Sequence, residues 1–125
     1  MSLSVHFYPS RTKQLCTLTV GHDRLIPEND GWAHCLRDHC RRLPLPYQDA
    51  DGLPLVFERH TDEGLEVCVE DAHGSPLTYA TAGDIVKCPR FNDDGRGLDL
   101  HPFSRAALAY LEALPPDIPV ILYFC

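Results

Sequence analysis

Residues 118–125 read "IPVILYFC", an almost uninterrupted apolar run of strand length, rich in β-forming side chains. Successive side chains of a strand point to opposite faces, so a strand with one wet face alternates apolar and polar residues. A run that is apolar at nearly every position leaves no face for water. It predicts a central strand covered on both sides, with the C-terminus buried in the sheet. The segment before it, "PFSRAALAYLEAL" (102–114), reads as a helix. Pro102 suits a first turn, where its missing N–H is not needed, and Pro115 stops the helix.

Further from this strand the signals are shorter. "LSVHFY" (3–8) and "QLCTLTV" (14–20) both alternate, with "PSRTK" between them as a hairpin connection. "LVFERH" (55–60) and "LEVCVED" (65–71) flank "TDEG", which predicts a second hairpin. "SPLTYA" (75–80) reads as a third strand of that meander. Thr81 to Asp84 has the form of a capping box with Asp in place of Glu, predicting a short helix over 82–88 that ends at Pro89. "LPLPYQDADGLP" (43–54) and "RFNDDGRGLDLHP" (90–102) are loops by composition. The predicted fold is α+β: one compact domain over 1–125, a mostly antiparallel sheet with the C-terminal strand at its centre, and two main helices packed on it.

The second main helix contains "WAHCLRDHC" (32–40), where two histidines and two cysteines fall within nine positions. On a helix over 30–43 with Asn29 or Asp30 as N-cap, Trp32, Cys35, Leu36, His39, Cys40 and Leu43 form one apolar stripe. His34, Arg37, Asp38, Arg41 and Arg42 then lie on the solvated side. The four candidate ligands do not share a face, so they are not one metal site. Cys35 and His39, at i and i+4, could supply two zinc ligands completed by Cys88 or His101, but no second pair has diagnostic spacing. The stretch reads as a core helix in which Cys35 packs apolarly and a neutral His39 bonds a backbone carbonyl.

Length and composition bound the function. With 125 residues, 44% of them hydrophobic and 23% charged, the chain is an ordinary globular protein, large enough to bury a core without crosslinks. No apolar run approaches the ~20 residues a membrane helix needs. "MSLSVHFYPSRTKQ" lacks a basic region followed by an apolar stretch, so no secretory signal is read and the expected compartment is the cytoplasm. A reducing cytosol then makes the six cysteines, at 16, 35, 40, 68, 88 and 125, free thiols that pack as small apolar side chains. Their spacing contains no C-x-x-C.

Catalytic signatures are missing: no G-x-S-x-G, H-E-x-x-H, P-loop or G-x-G-x-x-G occurs. Cys68 shares a predicted strand face with Glu66 and Glu70, a setting that raises a thiol pKa where a nucleophile needs it lowered. The loop "FNDDGRGLDLH" (91–101) holds Asp93, Asp94, Asp99 and His101, the residue types that gather a hard cation. Arg96 occupies a would-be ligand position and no Glu follows, so the loop reads as a solvated turn with Asp99 or His101 capping the last helix. No cofactor, metal or catalytic residue is assigned.

The informative feature is where the charge sits. Residues 44–84 carry nine acids against one base, Arg59, for a net of −8, leaving +1 for the rest of a chain whose total is −7. Such a surface repels nucleic acid and anionic membrane and steers a basic partner. The predicted docking residues are Asp49, Asp51, Glu58, Asp62, Glu63, Glu66, Glu70 and Asp71. The expectation is a small acidic binding protein, not an enzyme: an inhibitor or immunity (antitoxin-like) protein that neutralises a basic partner such as a secreted bacterial toxin. The alternatives are a small metal-dependent hydrolase using the 92–101 loop, and a homodimeric adaptor or chaperone built on a sheet edge. A merely solubilising acidic surface is the plain alternative to all three.

Overall fold

The computed structural model describes residues 3–9, 24–42, 58–67, 70–91 and 94–125. Within them the chain runs β1 (Val5–Pro9), α1 (Trp32–Arg37), β2 (Arg41–Arg42), β3 (Glu58–Thr61), β4 (Gly64–Val67), β5 (Thr78–Thr81), α2 (Ala82–Lys87), α3 (Pro102–Ala113) and β6 (Pro119–Phe124). Two antiparallel sheets form, one of four strands in the order β1-β6-β5-β2 and one of two strands, β3-β4. The fold is α+β, and β6, the apolar run of 118–125, is central.

β6 is held on both edges. Val5 to Pro9 pair antiparallel with Phe124 to Val120, and Thr78 to Thr81 pair with Leu122 to Pro119. Val120, Leu122 and Phe124 join Val5 and Phe7 of β1 and Ala80 of β5 in the core, together with Trp32 and Leu36 of α1, Ile85 of α2, and Ala107 and Leu111 of α3. Ile121 points to the other face and is still 0% exposed, between Tyr8 and Tyr79 in the register. That is why the run has no polar position: both faces of the strand are dry.

The two later helices follow their local signals. Thr81 caps α2, its Oγ1 accepting the Asp84 N–H at 3.1 Å, and the helix ends before Pro89. α3 carries Pro102 in its first turn, is capped by His101, whose Nδ1 accepts the Phe103 N–H at 3.3 Å, and ends before Pro115.

Two expectations are corrected and a third is met in part. The helix expected over 30–43 is only Trp32–Arg37: Gly31, at φ 95, is its N-cap, and the His39 N–H turns back to the Leu36 carbonyl at 3.0 Å. Asp30 accepts the Trp32 N–H at 3.4 Å but does not occupy the cap position. His39 is exposed beyond the helix and leaves the Trp32–Leu36 stripe, whereas Cys40, half-buried, still packs against the core cluster. Arg41 and Arg42 are not on a solvated helix face, because they form β2 opposite Tyr79 and Thr78. Finally, β5 takes β6 and β2 as its strand partners, while among the described residues the predicted strands 65–71 and 75–80 are joined by an antiparallel bridge from Glu70 to Pro76.

The expected strand at 14–20, the loop at 43–54, and residues 55–57 and 68–69 lie outside the described residues. No helix among the described residues is long and apolar enough to cross a membrane.

Candidate binding surface

The acidic residues predicted for docking divide into four groups. Asp62 and Glu63 are the two-residue turn of the β3–β4 hairpin, closed by the Thr61–Gly64 pair, and both are exposed. Gly64 takes φ 119, an angle that favours glycine and lets this acidic turn close. Glu58 and Glu66 lie in the two strands, where the register sets Glu58 opposite Val67 and Arg59, the segment's single base, opposite Glu66. Asp49 and Asp51 lie outside the described residues.

Glu70 and Asp71 belong to a different place. Glu70 is exposed and bridges Pro76. Asp71 is half-buried, and its Oδ1 accepts the N–H groups of His73 at 2.9 Å and Ser75 at 3.0 Å, while its own N–H donates to the Ser75 carbonyl. Gly74, at φ 76, completes this turn. The Ala72 N–H then donates to the Phe124 carbonyl at 3.1 Å, fastening the turn to the end of β6. Beside it lies an open cavity of about 440 Å³ lined by Arg37, Asp71, His73, Ser75, Thr78 and Phe124, among others. Arg37 and Asp71 thus share one cavity, although the sequence placed them on separate surfaces. The turn itself was legible as an Asp with Gly three residues on; its neighbour across the cavity was not.

The thiols are set for packing. Cys88 is buried and its Sγ donates to the Cys35 carbonyl at 3.4 Å; Cys35 and Cys40 are half-buried and donate to the carbonyls of Phe91 and Arg37. Burial, then the neighbouring Cys35, pushes the Cys88 thiol above its ordinary range, with Arg90 opposing and Cys40 adding to the rise. Burial and then Asp71 do the same for Cys125. A nucleophilic cysteine needs the reverse shift. Cys35, Cys40, Cys88 and Cys125 are free, and Cys16 and Cys68 lie outside the described residues.

Among its described residues, the 91–101 loop does not gather its acids. Asp94 Oδ1 accepts the Arg96 N–H at 3.1 Å, and its Oδ2 lies 3.6 Å from Arg96 Nε, with both side chains exposed. His101 is occupied as the cap of α3, as the sequence allowed, while Asp99 is exposed and Asp93 lies outside the described residues. With His39 off the helix, the Cys35–His39 zinc pair loses its i, i+4 geometry. Among the described residues no group of three His, Cys, Asp or Glu side chains is placed to hold a metal ion.

No known family model matches this chain, and neither a curated protein sequence nor a solved structure is significantly similar to it.

Proposed function

We propose that this chain is an acidic binding protein that docks a basic partner protein through the β3–β4 hairpin. Its class is that of an intracellular inhibitor or immunity protein, with a secreted toxin carrying a cationic cleft as the partner type. The observation that carries the reading is the hairpin turn: Asp62 and Glu63 form an exposed acidic tip on a two-stranded sheet with its own register, in the segment that carries the chain's whole negative excess. An acidic projection of this kind steers a cationic cleft from a distance and fixes its register on contact. Glu58, Glu66 and Glu70 extend the same charge along the hairpin and beyond it, with Asp49 and Asp51 earlier in the acidic segment. Asp71 contributes chiefly by building the adjacent turn.

The test is affinity capture from the native cell extract with the wild-type chain and with Asp62, Glu63, Glu66 and Glu70 reversed to lysine. The expected result is a basic protein retained by the first and lost by the second. A captured partner that is acidic, or that both chains retain equally, would show that the acidic face only keeps the protein in solution.

A further inference from the structure

We infer that the cavity shared by Arg37 and the 71–75 turn is a binding site for a free α-amino acid with an apolar side chain, its carboxylate held by Arg37 and its ammonium group by Asp71. The cavity has a volume of about 440 Å³, within the range of small-molecule sites. It lies where the last residue of α1, the end of β6 and the turn that leads towards β5 come together. This site is separate from the hairpin docking proposed above and does not rest on it.

The turn is fixed by its own hydrogen bonds. Asp71 Oδ1 accepts the N–H groups of His73 and Ser75, the Asp71 N–H donates to the Ser75 carbonyl, and the Gly74 N–H returns to the Asp71 carbonyl at 3.1 Å. These bonds engage Oδ1 and backbone groups. Among the described residues they leave Asp71 Oδ2, the His73 imidazole and the Ser75 hydroxyl without a partner. The Arg37 guanidinium likewise has no hydrogen-bond or ion-pair partner among the described residues. The polar groups that line the cavity are thus held in place by bonds that do not consume them.

The two charges select the ligand. Arg37 and Asp71 line one cavity, yet no ion pair joins them. A purely anionic ligand would meet the Asp71 carboxylate, and a purely cationic one the Arg37 guanidinium. A molecule carrying both charges a short distance apart complements both. A guanidinium matches a carboxylate through its paired N–H donors, and a carboxylate oxygen such as Oδ2 accepts from an ammonium group. Phe124, only 5% exposed, and the half-buried Pro76 add an apolar lining for the ligand's side chain. An apolar amino acid has these three parts and no other charge.

The test is amide-resolved NMR of the full chain titrated with L-phenylalanine, with 3-phenylpropanoate (no amine) and with phenethylamine (no carboxylate). For so small a ligand the dissociation constant should be on the order of 1 mM or below, with saturable shifts at the amides of His73, Ser75 and Phe124. Each analogue should bind on the order of tenfold more weakly than the amino acid, because one charged group is left unmatched. Arg37→Met should abolish the advantage of phenylalanine over phenethylamine. Asp71→Asn keeps Oδ1 for the turn and should abolish its advantage over 3-phenylpropanoate. Well-dispersed spectra of both variants establish that the fold is retained. Absence of saturable shifts, shifts confined to other parts of the chain, analogues that bind as tightly as phenylalanine, or variants that keep the wild-type discrimination would each overturn the proposal.

Discussion

The Asp30 carboxylate accepts the backbone N–H of His101 at 2.9 Å, joining the approach to α1 with the cap of α3 across 71 positions. Its other oxygen takes the Trp32 N–H at 3.4 Å, so one side chain serves the starts of two helices. Asp30→Ala should lower stability by about 1–2 kcal/mol, because two backbone donors lose their acceptor. Asp30→Asn keeps one acceptor and should cost less. Urea midpoints at constant m-value measure both, and equal losses would show that the charge rather than the hydrogen bonds carries the link.

Gly83 sits where α2 meets the turn before β6. Its N–H donates to the Pro116 carbonyl at 2.9 Å, and a Cβ there would lie 2.9 Å from Pro116 Cβ and 3.0 Å from Pro116 O. Helix propensity favours alanine by about 1 kcal/mol, but forcing a methyl group against packed backbone costs about 1–3 kcal/mol. Gly83→Ala is therefore expected to lower the melting temperature. A rise would mean that the 115–117 turn moves freely.

Burial of β6 on both faces makes its two sides equally costly to truncate. Ile121 and Leu122 are 0% and 1% exposed and point in opposite directions. Replacing either with alanine should cost about 2–5 kcal/mol by denaturant unfolding. Deleting residues 118–125 removes the partner of both β1 and β5, and that chain should not fold.

Acidification should destabilise the fold through His6. Burial, and then the positive charge of Arg24, lower its pKa from the ordinary 6.5. Above that value both folded and unfolded chains carry a neutral imidazole and the group contributes nothing. As pH falls below it, the unfolded chain takes up the proton first, so stability declines until the folded-state pKa is reached. His6→Gln should flatten the stability–pH curve in that window, as followed by thermal melts.

Binding to the partner should be fast and salt-sensitive. Exposed charges are screened over about 8–10 Å at physiological ionic strength, so association should slow as salt rises while dissociation changes little. The four-residue hairpin reversal should act mainly on the association rate and leave the fold intact. Reversing Arg37, Arg41 and Arg42 should leave binding largely unchanged or slightly improve it. Stopped-flow measurements with the purified partner separate the two rates.

Several elements were legible because their causes are local. The Thr81 cap, the proline at the start of α3, the "TDEG" turn and the unbroken apolar run of β6 each carry their signal within a few residues. Hydrogen-bond geometry, fixed φ and two-sided burial need no distant partner to be recognised. The charge imbalance of 44–84 is likewise a property of the residue string alone.

Pairing and juxtaposition were not legible, because they depend on energies between segments far apart in the chain. The apolar period of 32–43 continues past Arg37 on paper, yet Arg41 and Arg42 leave the helix to hydrogen-bond β5. Alternation tells which face a strand buries, not which neighbour it takes, so the pairing of β5 with β6 and β2 could not be assigned. The cavity shared by Arg37 and Asp71, and the tie from Asp30 to His101, arise only when α1, β6 and α3 pack together. Local stereochemistry thus determined the elements and the acidic segment. Long-range packing alone decided their neighbours, because only the assembled core compares the alternatives that each segment could pair with.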